Sequence, residues 1–191
     1  VSLLFLADGK TARTVGFNQQ LLAPSDDKPY RFAGAVSNMD FPLQVQRDLI
    51  ESAQRLTAAL ALRGLNSLDA VLEGDKVWIL ELNPRLSATF NLYPNLLNAH
   101  IQGSKGEFVD IPKNNSAKAE FVLYAKKQLI IPADFIWPDW VADIPYMGAA
   151  VLKLDENVPI CTVLAEAEDA TSAHQLVLDR VEKLKGKLFH D

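Results

Sequence analysis

"DAVLEGDKVWILELNPRLSATF", residues 69–90, decides how the rest of this chain is read. Val77-Trp78-Ile79-Leu80 is hydrocarbon, yet it runs directly into Glu81-Leu82-Asn83-Pro84-Arg85. A strand alternates faces, so Glu81, Asn83 and Arg85 share one side while Leu80 and Leu82 take the other. Core packing does not call for an acid, an amide and a guanidinium on alternate positions. Residues 65–72 and 76–83 read as two strands joined around Glu73-Gly74-Asp75, which places Asp69 on the neighbouring strand. An odd number of turn residues points Asp69 to the face of Glu81, whereas a two-residue Gly74-Asp75 turn points it away. On a shared face the group comprises two carboxylates, an amide and one fixed cation. Such hard oxygen donors suit Mg2+, with Mn2+ as the alternative. Arg85, presented in a fixed direction by Pro84, can grip phosphate or carboxylate oxygens with its planar fork. The chemistry suggested is phosphoryl transfer, where positioning and charge neutralisation dominate. The same triplet also fits a solvated strand face.

Outward from this hairpin, Ser2–Ala7 and Thr11–Leu22 are strand-forming runs around Asp8-Gly9-Lys10, a hairpin signal at the start of the chain. Tyr30–Val36 reads as a third strand, with Gly34 permitting a close backbone approach. Apolar residues at 45, 49, 50, 53, 56, 60 and 62 predict a helix over 42–63 that stops at Gly64. Residues 87–102 are expected to be partly helical, interrupted by Pro94. "GSKGEFVDIPKNNSAK" is a polar linker; after it come strand-like "AEFVLYAKKQLIIP", a strand "PICTVLAEA" and a final helix over 170–185.

A net charge of -5 without any Lys/Arg run argues against nucleic acid or anionic membrane as the main partner, because both rely on clustered cations. Apolar content of 49% supports a sizeable core, and no apolar run approaches the roughly 20 residues of a membrane-spanning helix. The single cysteine, Cys161, excludes an internal disulfide and fits a reduced compartment, so the cytoplasm is the expected location. The opening "VSLLFLADGKTARTV" lacks a signal-peptide pattern and an initiator Met, and beginning inside a strand suggests residues upstream.

The hairpin resembles the ATP-grasp superfamily, in which a carboxylate on one strand, followed about a dozen residues later by Glu-x-Asn and an Arg two positions on, holds Mg2+ and the ATP phosphates. "VSLLFLADGKTARTVGFNQQLL" with "YRFAGAV", and "ALRGLNSLDAVLEGDKVWILELNPRLSATFNLY", are similar to core strands of its carboligase-like branch. From residue 118 the chain resembles the tail module of relatives in tetrahydromethanopterin and methanofuran metabolism, tyramine-glutamate ligase among them. The resemblance implies an α+β fold: an ATP-grasp core of mainly antiparallel sheet with packed helices over 1–104, a linker over 105–117 and a small α/β tail module over 118–191. It implies Asp69, Glu81 and Asn83 as metal ligands, and Asn83 and Arg85 as ATP contacts, with Arg85 catalytic on phosphate or acyl phosphate. It also implies that the superfamily's Gly-rich loop, nucleotide-binding lysines and adenine hinge precede Val1. The expected activity is ATP-dependent joining of a small carboxylate to an amine, or to a thiol, through an acyl phosphate. A homodimer is compatible with it, and a nucleotide-responsive regulatory or assembly subunit without turnover is the alternative.

Asn18, Gln19, Gln20 and Arg31 lie near the ends of early strands, where substrate-side groups arise in such ligases, though sheet edges and loops also use these types. Ser87 and Thr89 either cap the following helix or touch substrate. Cys161 reads as a buried structural thiol, and His100, His174 and His190 have no metal-ligand spacing. Phe135, Trp137, Trp140 and Tyr146 read as an irregular segment packed on the core.

Overall fold

Asp8 closes the first turn: its Oδ1 accepts hydrogen bonds from the backbone N–H groups of Lys10 at 2.8 Å and Thr11 at 2.7 Å. This turn joins β1 (Ser2–Asp8) to β2 (Ala12–Leu22) as an antiparallel pair. The computed structural model describes residues 1–112, 115–145 and 151–189. Tyr146 and His190, singled out above, lie outside the described residues.

β1 is apolar on both faces because both are covered. Leu3, Phe5 and Ala7 pack with Val45, Leu49 and Ala53 of α1 (Leu43–Leu60), while Leu4 and Leu6 pack with Leu92, Tyr93, Leu96 and Ala99 on the other side. The second group comes from a 3-10 turn (Ala88–Leu92) and α2 (Leu96–Ser104), on either side of Pro94. β1 also pairs with β4 (Arg63–Glu73), which pairs with β5 (Lys76–Asn83).

β2 continues outward to β3 (Phe32–Val36), and β3 to β6 (Ala117–Tyr124). Gly34 makes the latter contact possible: at φ +132 a Cβ there would stand 2.0 Å from the Glu120 carbonyl oxygen. The other strands are β7 (Leu129–Ile131), β8 (Val141–Ala142), β9 (Leu152–Leu154) and β10 (Pro159–Ala167). Among the described residues, one antiparallel sheet runs β5-β4-β1-β2-β3-β6-β10-β8, and β7 and β9 form a separate pair. Strands from both sides of residues 105–117, the expected linker, belong to this one sheet.

α3 (Ala170–Leu188) lays Ala173, Val177, Val181 and Leu184 over β6 and β10. Full burial of each Val or Leu contributes roughly 1.5–3 kcal/mol. Asp169 caps the helix by accepting the Ser172 N–H at 2.8 Å. Among the described residues no helix is long and apolar enough to cross a membrane.

The end of α1 differs from the expectation. The helix stops at Leu60, and Ala61 takes the left-handed conformation (φ 52) with its N–H on the Thr57 carbonyl. Gly64 instead lies in β4 at φ +67, where a Cβ would stand 2.8 Å from His100 Nδ1 and Ser104 Oγ. Its missing side chain lets α2 approach β4, and His100 Nδ1 accepts the Leu65 N–H at 3.0 Å. Cys161 is a buried thiol; burial first, then the Asp143 charge, pushes it up to about 12.

Candidate active site

The turn between β4 and β5 holds two residues, Gly74 and Asp75, with Glu73 opposite Lys76. Regular pairing from that turn would set Asp69 against Leu80 and send Glu81 to the α1 face. The register shifts between Ala70 and Asp69, however: Ala70 opposes Ile79, Asp69 opposes Glu81, and Leu80 is the extra residue of a β-bulge. The bulge therefore does what an odd-numbered turn would have done. Leu80 does not share the face of Leu82: it is 67% exposed, whereas Leu82 packs towards the α1 core.

Across the sheet, successive opposed residues form a polar row, with Asn18 against Ser2, Ser2 against Asp69 and Asp69 against Glu81. A cleft of about 420 Å³ opens at its Glu81 end, and Asp69, Glu81, Asn83, Arg85 and Ser87 all line it. Asn83 Nδ2 donates to Asp69 Oδ2 at 3.3 Å, which leaves Asn83 Oδ1 without a partner among the described residues. Burial, chiefly, raises the Asp69 carboxyl above its ordinary range; the Glu81 charge adds to this, while Gln20 and the Arg85 charge oppose it. Two like charges facing each other favour a proton or a cation between them.

Pro84 turns the chain out of β5, with the Arg85 N–H on the Asn83 carbonyl at 2.9 Å. The Arg85 side chain is exposed, and its Nη1 donates to the Leu86 carbonyl at 3.0 Å. Ser87 precedes the 3-10 turn but makes no side-chain cap bond; its hydroxyl pairs with that of Thr89 at 2.9 Å. Among the described residues no three His, Cys, Asp or Glu side chains gather as a metal centre, so the cleft offers a pair of carboxylates and an amide.

The other candidates go elsewhere. Asn18 is buried, donates to Ser2 Oγ at 3.3 Å and accepts from the Tyr93 hydroxyl at 2.8 Å, so it ties the segment after the 3-10 turn to the sheet. Gln19 is not among the cleft-lining residues, whereas Gln20, one position on, lines the cleft with Asp69 and counters the rise of its carboxyl. Strand parity with Asn18 was the available signal. Arg31 is held away by the Ala23 carbonyl (2.8 Å), Asn157 Oδ1 (2.9 Å) and the Tyr124 ring, 4.0 Å from its guanidinium carbon. Phe32 and Ser67 also line the cleft and carried no functional signal in the sequence.

Residues 1–89 match the family model described as an ATP-grasp domain. No curated protein matches it. Among solved structures it is similar to phosphoribosylglycinamide synthetase from Anaerococcus prevotii, at 14% identity and TM-score 0.70, over 95% of this chain and 51% of that one. It is also similar to Kluyveromyces lactis urea carboxylase (14%, TM-score 0.70, 97% of this chain and 19% of that one). The L-amino acid ligase from Bacillus licheniformis is a third such structure (8%, TM-score 0.66, 95% of this chain and 52% of that one). At these identities the likeness establishes the fold. The chain spans about half the length of the synthetase and of the amino acid ligase.

Proposed function

We propose that this chain is the catalytic-core part of an ATP-dependent carboxylate–amine ligase of the carboligase-like branch, working through an acyl phosphate. The observation that carries the reading is the gathering of Asp69, Glu81, Asn83 and Arg85 in one cleft, secured by the bulge at Leu80. Asp69, Glu81 and the free Oδ1 of Asn83 are hard oxygen donors that fit Mg2+ or Mn2+, and the crowding of the two carboxylates favours a cation. Bound there, the metal would neutralise charge on ATP phosphates.

The chain's own groups do the rest. Asn83 Nδ2 holds the Asp69 carboxylate by a hydrogen bond, and Gln20 lines the cleft beside it. Arg85 projects into the wet part of the cleft, where its fork can orient phosphate or acyl-phosphate oxygens. The nucleophile in this reading is the amine, or a thiol, of the second substrate.

The test uses the intact enzyme. Glu81→Gln and Arg85→Ala should each lower ATP-dependent phosphate release over a panel of acids and amines by about a hundredfold. Stability should change by about 0.5 kcal/mol or less, because both side chains are exposed. Normal release by either variant would remove its residue from the chemistry. Binding of ATP with no release for any acid and amine pair would favour a regulatory subunit.

A further inference from the structure

A second cleft, of about 450 Å³, opens on the same sheet face as the first. The 3-10 turn divides them: Ala88 and Thr89 line the first, Asn91 and Leu92 the second. Strand register places them close together. Gln20 of the first cleft opposes Ala35, and Ala35 opposes Glu120 of the second, so two strand spacings, about 10 Å, separate them.

Glu120 is the unusual group. It sits in the middle of β6, between β3 and β10, and is only 8% exposed. Among the described residues its carboxylate has no hydrogen-bond or ion-pair partner, and it is not sealed from solvent but opens on the cleft. Its surroundings are acidic. Asp139, Asp143 and Glu166 line the cleft with it, against Lys118 and Arg180. Arg180 is already committed, its Nη1 donating to the Leu164 carbonyl at 2.6 Å with the guanidinium 5.5 Å from the Trp140 ring centre; Glu166 accepts from Ser116. Trp140, Leu92, Leu164 and Ala142 supply apolar walls. A net negative cleft with an aromatic wall suits an organic cation better than a hydrated metal ion. No metal-holding group of three acidic or imidazole side chains forms there among the described residues.

We propose that this second cleft binds the ammonium group of a small primary amine, with Glu120 as its principal partner and Asp143 beside it. Resting on the ligase reading, the cleft is the acceptor subsite, which presents the amine towards the Asp69–Glu81 cleft across the 3-10 turn. Burial, with the Asp143 charge adding to it, raises the Glu120 carboxyl to about 7. Ammonium binding therefore strengthens as pH rises through that value, Lys118 and Arg180 opposing it and Asp139, Asp143 and Glu166 assisting.

The test is an NMR titration of the 191-residue chain with propylammonium, with propionate and Mg2+ as controls. Propylammonium at pH 8 should shift the amide signals of Glu120, Asp143 and Thr162, and propionate should not. Affinity should fall about tenfold at pH 6, where about nine-tenths of Glu120 is protonated, and by at least as much in Glu120→Gln. Asp143→Asn, expected to weaken binding in the same direction, serves if the Gln variant fails to fold. Unshifted signals, undiminished binding in the variants, or displacement of propylammonium by Mg2+ would each overturn the subsite. Phosphate release by the intact enzyme reports separately on the ligase reading: amine binding here without release would sink that reading and leave the subsite standing.

Discussion

Glu120 gives the clearest single-residue test of the electrostatics. Its carboxyl is raised from an ordinary 4.5 to about 7, so the folded chain holds this proton more tightly than the unfolded one. The resulting stabilisation is present below pH 4.5 and is lost as pH rises through about 7; it is on the order of 3 kcal/mol. Chemical denaturation at pH 5 and pH 8 should show that difference in the wild type and a much smaller one in Glu120→Gln. Equal pH dependence in both would mean that Glu120 finds a compensating partner in solution. Asp69 is shifted in the same direction, again chiefly by burial, so Mg2+ should start to lose affinity on acidification above the ordinary aspartate range. A titration of Mg2+ binding against pH would show it.

The elements were legible to different depths. The two hairpins, the long helix and the closing strand and helix follow from turn dipeptides and periodicity, since those patterns are local. The end of α1 was not legible, because the sequence places a glycine at 64 and gives no local sign that Ala61 takes the left-handed conformation. That geometry is unfavourable for alanine, so Ala61→Gly should raise stability by about 0.5–1 kcal/mol, visible as a higher thermal midpoint. Gly64→Ala should do the reverse, because its Cβ would meet His100 and Ser104. Asp69, Glu81, Asn83 and Arg85 were found from residue types and spacing, yet the parity argument that joined Asp69 to them depended on a turn length that the chain does not have. Bulges depend on twist and packing along the whole strand, and no dipeptide announced the one at Leu80.

At the scale of the molecule, one sheet carries both clefts, and its β1 core and its α3 core are built from different helices. Each helix layer has its own buried apolar group, which is why the 191-residue chain should fold cooperatively when produced alone. Nucleotide binding is another matter. Among the described residues lining the Asp69–Glu81 cleft, Arg85 is the one cation, so a triphosphate would meet a single guanidinium there. Contacts weaker by about 4 kcal/mol leave binding roughly a thousandfold weaker. Calorimetry on this chain should therefore detect weak MgATP binding or none, and no phosphate release; micromolar affinity would show that the nucleotide site lies elsewhere.

The extra residue at Leu80 divides the β4–β5 hairpin into two lengths of ladder. Amides in the tip, from Val71 to Ile79, are joined to the rest through a point where pairing is interrupted, on an edge strand of the sheet. Deuterium should enter in two steps: the inward-facing amides of the tip first, as one opening unit, and those of residues 65–70, secured by β1 and, at Ala70, by the Val1 carbonyl, much later. The hairpin tip can thus breathe while the opposed pair of carboxylates keeps its spacing, and merging of the two steps in a Leu80 deletion would show that the bulge is the hinge.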